Sequence, residues 1–250
     1  MKTKRIIIFL LIVIGLFFLS LIYPKIQNLT GNSVGSYYPS EEAILLRAVD
    51  GDTIHALVNG KEETIRLLGI NTPEKNMPFY SATKEYLKQF ENKSIALKRD
   101  IEDTDKYKRK LRYVFYNNQM LNLKIVEKGY ASTYYLNNLI YEKDFLAAEK
   151  QARNKEVGIW QKSKDDCSSC IILEKLDAKE EYFTIKNICD FSCALEGWFV
   201  KDAGRNNFYL ASLGADSSKT YNSDKEVWNN DGDSFFMFDK QGLLVIYYSY

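Results

Sequence analysis

The sequence predicts a mainly β chain: a small five-stranded barrel with helices packed outside it, then a β-sandwich, with one hydrophobic helix in front. Three observations carry this reading. Residues 43–116 read as three strands, a helix and two more strands. Beyond residue 166, short apolar segments alternate with turns and show no helical period. Ahead of both, Ile6–Tyr23 is an apolar run interrupted only by Gly15 and Ser20.

With 250 residues and 46% apolar content the chain can build one large or two small cores. The net charge of +1 hides an asymmetry. Residues 40–162 carry 21 Lys and Arg against 18 Asp and Glu, whereas residues 163–250 carry 9 against 15. A mildly basic unit suits a polyanion and an acidic one repels it, although neither imbalance is extreme.

Lys2, Lys4 and Arg5 precede the apolar run, whose length makes about 27 Å of helix, close to the hydrocarbon core of a bilayer. Residues 1–23 therefore read as a transmembrane anchor or a signal segment. Ser20–Pro24 offers no small-residue cleavage site, which favours the anchor. With the positive flank inside, both readings place the rest outside the cytoplasm: on the outer side of the cell membrane, held through residues 6–23, or secreted. Residues 24–40 are polar and rich in Gly, Ser, Asn and Pro, as in a linker, and contain the sequon Asn28-Leu29-Thr30.

The next unit, residues 41–162, opens with strands at Ala43–Val49, Thr53–Val58 and Thr64–Ile70, the last two joined by the hairpin signal Asn59-Gly60. Ser81 is placed to cap a helix reaching Phe90, with Ala82, Tyr86, Leu87 and Phe90 on one face. Strands follow at Ser94–Lys98 and Leu111–Tyr116, then a short helix ending at Gly129 and a longer one over Tyr141–Asn154. Closed, these strands make a barrel of the OB type, an architecture that often binds nucleic acid. The polar stretch Gln161–Asp166 marks a boundary. Beyond it, strands are expected at Ile171–Leu176, Tyr182–Ile188, Gly197–Asp202, Asn207–Leu210, Ser234–Asp239 and Leu243–Tyr248.

Three polar clusters punctuate the barrel: Asp50-Gly51-Asp52-Thr53, then Arg66 through Glu74 (RLLGINTPE), then Thr104-Asp105-Lys106-Tyr107-Lys108-Arg109. Singly each is a turn or a solvated face. In this order and spacing they closely resemble the staphylococcal nuclease (thermonuclease) family over about residues 42–160. The ending Glu149…Ala152…Gly158-Ile159-Trp160 resembles the family's last helix.

The resemblance implies calcium-dependent hydrolysis of DNA or RNA phosphodiesters to 3′-phosphate products. Arg66 and Arg109 would grip the phosphate, and Glu74 would activate or orient the attacking water. Asp52, Asn71 and Thr72 would hold Ca2+, with Lys106, Tyr107 and Tyr135 near the substrate. The chemistry agrees: calcium takes oxygen ligands and guanidinium forks bind phosphate bidentately. At position 71 the family commonly has Asp, so Asn71 implies weaker calcium binding. Lys108 stands where a glycine is usual. A single histidine, His55, excludes nucleases that use paired histidines.

Residues 167–250 resemble a lamin-tail domain, an immunoglobulin-like sandwich, on Leu195-Glu196-Gly197-Trp198, Trp228 through Asp233 and Asp239 through Val245. This implies binding or tethering. Cys167, Cys170, Cys189 and Cys193 have spacings that suit a zinc site, whereas an exported location suits disulfides. Two rival readings are a catalytically silent nucleic-acid-binding module and an adhesion protein driven by the C-terminal unit. The nuclease reading expects residues 40–162 to suffice for catalysis.

Overall fold

A computed structural model describes residues 40–134 and 137–250. The segment 1–23, all but the last residue of the 24–40 linker, and Tyr135 lie outside the described residues. Among those described, no helix is long and apolar enough to cross a membrane.

The first sheet holds β1 (Glu41–Ala48), β2 (Thr53–Val58), β3 (Lys61–Leu67), β5 (Ser94–Lys98) and β6 (Lys110–Tyr116), extended by the two-residue β7 (Gln119–Met120). Its order is β3-β2-β1-β5-β6-β7, and a parallel pairing of β3 with β6 closes the first five strands into a barrel. Asn59 and Gly60 both take positive φ, as a two-residue hairpin joining β2 to β3 demands. A register shift between Leu45 and Arg47 lets β1 curve while it serves both neighbours. The core contains Leu45, Ile54, Ile65, Leu67, Leu97 and Val114, all fully buried.

The third predicted strand, Thr64–Ile70, is broken. Gly69 at positive φ turns the chain, and β4 (Ile70–Asn71) pairs instead with β8 (Ser132–Thr133). Helix α1 runs Tyr80–Lys88. Ser81 does not cap it; Phe79, in the left-handed region, precedes it with no side-chain cap bond. The reason is tertiary, because Phe79 packs in an apolar cluster shared with the C-terminal unit. Helices α2 (Leu121–Glu127) and α3 (Glu142–Asn154) complete this unit.

The C-terminal unit has two sheets. One is made of β9 (Ile171–Asp177), β10 (Tyr182–Asn187) and β13 (Ser218–Asn222), in the order β13-β10-β9. The other is made of β11 (Phe199–Lys201), β12 (Asn207–Tyr209), β14 (Ser234–Phe238) and β15 (Leu244–Ser249), in the order β12-β11-β14-β15. A common core of Phe183, Ile185, Trp198, Trp228, Phe235 and Met237 fills the space they share. Disulfides Cys167–Cys193 and Cys170–Cys189 staple one end.

Residues 40–250 form one compact body, in which the barrel and the C-terminal sheets are packed together. Ala152, Ile159 and Trp160 of the first share a buried cluster with Phe199, Phe236, Phe238 and Leu244 of the second. Burying each such aromatic contributes about 1.5–3 kcal/mol. The expected boundary is stitched down as well: Ser163 N–H donates to Leu244 O at 2.9 Å, and Leu244 N–H to Gln161 O at 2.7 Å. Gly242 approaches so closely that a Cβ there would lie 1.9 Å from Pro78 Cγ.

Candidate active site

The site is built where β2 begins, β3 ends and β4 turns away. Gly51 lets the chain pass Thr72 and Thr83, since a Cβ would lie 2.7 Å from Thr72 Oγ1. Asp52 then enters the barrel rim with its carboxylate buried. Its Oδ2 accepts from Thr72 Oγ1 at 3.1 Å and faces Arg66 Nη2 at 3.2 Å. Its Oδ1 accepts from Thr53 Oγ1 at 3.1 Å. Thr53 Oγ1 in turn accepts from Arg109 Nη1 at 3.3 Å, and Arg109 Nε donates to Asp105 Oδ2 at 2.7 Å. One continuous polar chain therefore runs Asp105, Arg109, Thr53, Asp52, and on to Arg66 and Thr72.

The segments around this chain are held from behind. Asn122, fully buried on α2, donates to Leu68 O at 2.9 Å and Arg112 O at 3.1 Å, fixing the turn before β4. Buried Glu149 on α3 accepts from Thr133 N–H at 2.8 Å, fixing β8 and with it β4, which carries Asn71. Asp105 also accepts from the N–H groups of Tyr107 and Arg109, both at 2.9 Å, shaping the loop that presents Arg109. Within that loop Lys108 sits at φ +62°, the left-handed region a glycine prefers.

The buried Arg66 guanidinium is held in place: Nη1 donates to Leu67 O at 2.5 Å and Nη2 to Ile70 O at 2.8 Å, beside its pairing with Asp52. Burial lowers the Arg66 pKa, opposed by Asp52 and Asp50, while Arg109 and Arg205 repel it. Burial, then the charge of Asp52, raises the Asp50 carboxyl above its ordinary range. An anion would relieve Arg66, and a cation would relieve the crowded Asp50 and Asp52.

Glu74 and Asn71 face the C-terminal unit. Glu74 Oε1 forms an ion pair with Arg205, 2.7 Å from its Nε. Asn71 Nδ2 donates to Ala203 O at 2.7 Å and Gly204 O at 3.3 Å. Both acceptors are carbonyls, which fixes the amide orientation and leaves Oδ1 on the other side. Among the described residues no three His, Cys, Asp or Glu side chains gather to hold a metal. A hard cation would need a mixed oxygen set. Asp52 Oδ1, Asn71 Oδ1 and the Thr72 carbonyl are such donors, the kind calcium takes.

Tyr107 is 64% exposed, with Lys106 Nζ 5.3 Å and Arg109 Cζ 5.5 Å from its ring centroid. The four cysteines are spent in the C-terminal unit's disulfides. His55 sits on the strand face opposite buried Ile54, paired to Glu62 at 2.6 Å. Sequence reasoning had no role for Asp50 and Thr53, although both lie inside the first cluster. It missed Arg205 altogether, because no motif marks that loop.

The comparisons agree with the geometry. A family model described as staphylococcal nuclease homologue matches residues 64–162. A thermonuclease of Staphylococcus intermedius is 33% identical over 130 residues, 49% of this chain and 77% of that protein. One of Staphylococcus hyicus is 31% identical over 124 residues, 46% of this chain and 73% of that protein. Endonuclease YncB of Bacillus subtilis is 32% identical over 127 residues, 47% of this chain and 60% of that protein. Barrel, polar cluster and relatives together lead to one statement: this chain belongs to the staphylococcal nuclease family.

Proposed function

We propose that this chain is a calcium-dependent nuclease that hydrolyses DNA or RNA phosphodiester bonds to 3′-phosphate products outside the cytoplasm. The observation that carries the reading is the unbroken polar chain from Asp105 through Arg109, Thr53 and Asp52 to Arg66 and Thr72. Mere binding needs positive charge; it does not need two guanidiniums, one buried, braced against carboxylates. The names of the thermonuclease and endonuclease relatives support the same activity.

In this reading Arg66 and Arg109 clamp the scissile phosphate and stabilise the charge that grows on its oxygens. Glu74 takes the proton of the attacking water; Arg205 occupies its Oε1, which leaves Oε2 for that work. The 5′ oxygen departs with its strand and takes up a proton from solvent as a hydroxyl, and the 3′ side keeps the phosphate. Asp52, Asn71 and Thr72 would hold calcium, which when bound supplies Lewis-acid polarisation of a phosphoryl oxygen. Lys106 and Tyr107 would meet the strand, with Tyr107 exposed enough to stack on a base, and the family resemblance assigns Tyr135 a substrate contact as well.

We read residues 41–162 as the nuclease unit and residues 167–250 as a lamin-tail-like, immunoglobulin-like sandwich. Two sheets around one core support that assignment. Residues 1–23 serve as anchor or signal and 24–40 as linker. Two disulfides support an exported location, because cytoplasmic thiols stay reduced. Asn71 favours one rival, a silent nucleic-acid-binding module, since it lowers the charge of the calcium site.

The test is cleavage of single-stranded DNA by the full chain with calcium and then with excess chelator. Calcium-dependent cleavage leaving 3′-phosphate ends supports the enzyme. Tight binding without cleavage at any calcium concentration transfers the case to the silent module.

A further inference from the structure

The loop between β11 and β12 is built to a fixed shape. The buried Asp202 carboxylate accepts from Asn206 N–H at 3.0 Å and Asn206 Nδ2 at 2.6 Å. Buried Asp233 accepts from Ala203 N–H at 3.0 Å. Lys201 Nζ donates to Asp202 O at 2.7 Å. This frame delivers two carbonyls to Asn71 and one guanidinium to Glu74. Gly204 and Arg205 border the same cavity as Phe199 and Phe236 of the shared apolar cluster.

Arg205, like Arg109, pairs with a carboxylate, but Arg109 is also tied by hydrogen bonds from Nε and Nη1, whereas Arg205 makes no such bond among the described residues. Each guanidinium rests its Nε on a carboxylate oxygen at 2.7 Å, Arg109 on Asp105 and Arg205 on Glu74. An arginine held through Nε keeps its two terminal nitrogens as a fork, the geometry that takes phosphate oxygens in pairs. Arg205 is 63% exposed, and Glu74 is its sole side-chain partner among the described residues. Its loop reaches the site directly, because the carbonyls of the two preceding residues, Ala203 and Gly204, accept from Asn71 Nδ2. Its unit is acidic overall, with 15 Asp and Glu against 9 Lys and Arg over residues 163–250. A cation placed at the edge of the site is thus a local exception to that charge.

We propose that Arg205 is a substrate-binding residue, supplied by the C-terminal unit, that grips a backbone phosphate of the nucleic-acid strand beside the one held by Arg66 and Arg109. The inference rests on the nuclease reading for the identity of the strand. The nucleic-acid site then spans both units, and the C-terminal unit is part of its wall. A latch that silences Glu74 is the opposite use of the same contact. Its exposure argues against that use, because an ion pair open to solvent is too weak to exclude a polyanion.

The test compares the full chain with Arg205→Gln and Arg205→Lys. Binding to an oligothymidylate of about 12 nucleotides is followed by fluorescence anisotropy in chelator, across a salt series. Removing one phosphate contact should make the slope of log affinity against log salt shallower by about 0.7. Arg205→Gln should bind about tenfold more weakly, the size of one lost charge-assisted contact. Arg205→Lys should restore the slope and part of the affinity. In calcium, Arg205→Gln should raise KM for the same oligonucleotide about tenfold.

Wild-type affinity and slope in Arg205→Gln would overturn the inference, and so would a rise in kcat, which is the mark of a latch. A wild type that binds with Arg205-dependent slope yet never cleaves refutes the nuclease reading and leaves this inference standing. A wild type that cleaves with Arg205 indifferent does the reverse. A wild type that neither binds nor cleaves refutes both.

Discussion

Replacing Asn71 with aspartate restores the residue type that the resemblance leads one to expect, yet in this chain it should destabilise the protein. Asn71 Nδ2 donates to Ala203 O at 2.7 Å and Gly204 O at 3.3 Å. The aspartate side chain would have no donor there and would set a carboxylate oxygen against two carbonyl oxygens. Losing the bond and leaving polar groups unpaired in a part-buried contact costs about 1–3 kcal/mol. At roughly 2–4 °C per kcal/mol for a unit of this size, the melting temperature in chelator should fall by about 2–12 °C. Calcium should narrow the gap, because a second carboxylate strengthens the site and ligand binding stabilises the folded state. Melts of both proteins in chelator and in millimolar calcium provide the assay. An Asn71→Asp protein that melts at or above wild type in chelator would refute the role given to the 202–206 loop.

Two further outcomes follow from the geometry. Burial works against the Asp105 charge, but the N–H groups and guanidinium of Arg109, with Tyr107 N–H, outweigh it and hold the carboxyl below its ordinary value. A depressed carboxylate stabilises fully above the unfolded value of about 3.9 and loses that contribution as pH falls through the folded value. The Arg109 loop should therefore persist to pH below about 3.9, and NMR titration of the Asp105 carboxyl should give a midpoint under that of a model peptide. A midpoint at or above it would contradict the assignment. Gly242→Ala forces a Cβ to within 1.9 Å of Pro78 Cγ at φ +78°. That should cost about 2 kcal/mol or more, read by chemical denaturation. An unchanged midpoint would mean the units separate freely there.

Much of the fold was legible because the barrel obeys local rules. Ile54, Ala56 and Val58, and Ile95 and Leu97, fall on buried alternate positions, and the structure begins and ends those two strands at the expected residues. Asn59-Gly60 announces its hairpin by chemistry alone. What stayed hidden is tertiary. Ser218–Asn222 is a polar edge strand, mostly exposed, so no apolar alternation marks it. Phe79 heads α1 because its side chain is wanted by Phe199 and Phe236 of the other unit, a demand that outranks the capping preference of Ser81. Gly69 breaks the third strand because Phe145, distant in sequence, packs where its side chain would be.

The candidate site divides the same way. Asp52, Thr72, Arg66 and Arg109 come together as the motif spacing implies. Arg205 and the two carbonyls on Asn71 arrive from another unit, where only the folded chain brings them near. For that reason the expectation that residues 40–162 act alone now faces a specific objection: Trp160 and Glu74 each have partners beyond residue 162.

The most direct test of the central claim is the single-turnover rate of wild type and Glu74→Gln on one single-stranded DNA at saturating calcium. Glutamine keeps the shape and an acceptor for Arg205 but cannot take a proton from water. The rate should fall at least about 100-fold with the melting temperature nearly unchanged. Equal rates would show that Glu74 is not the base and that the chemistry assigned to this cluster is wrong.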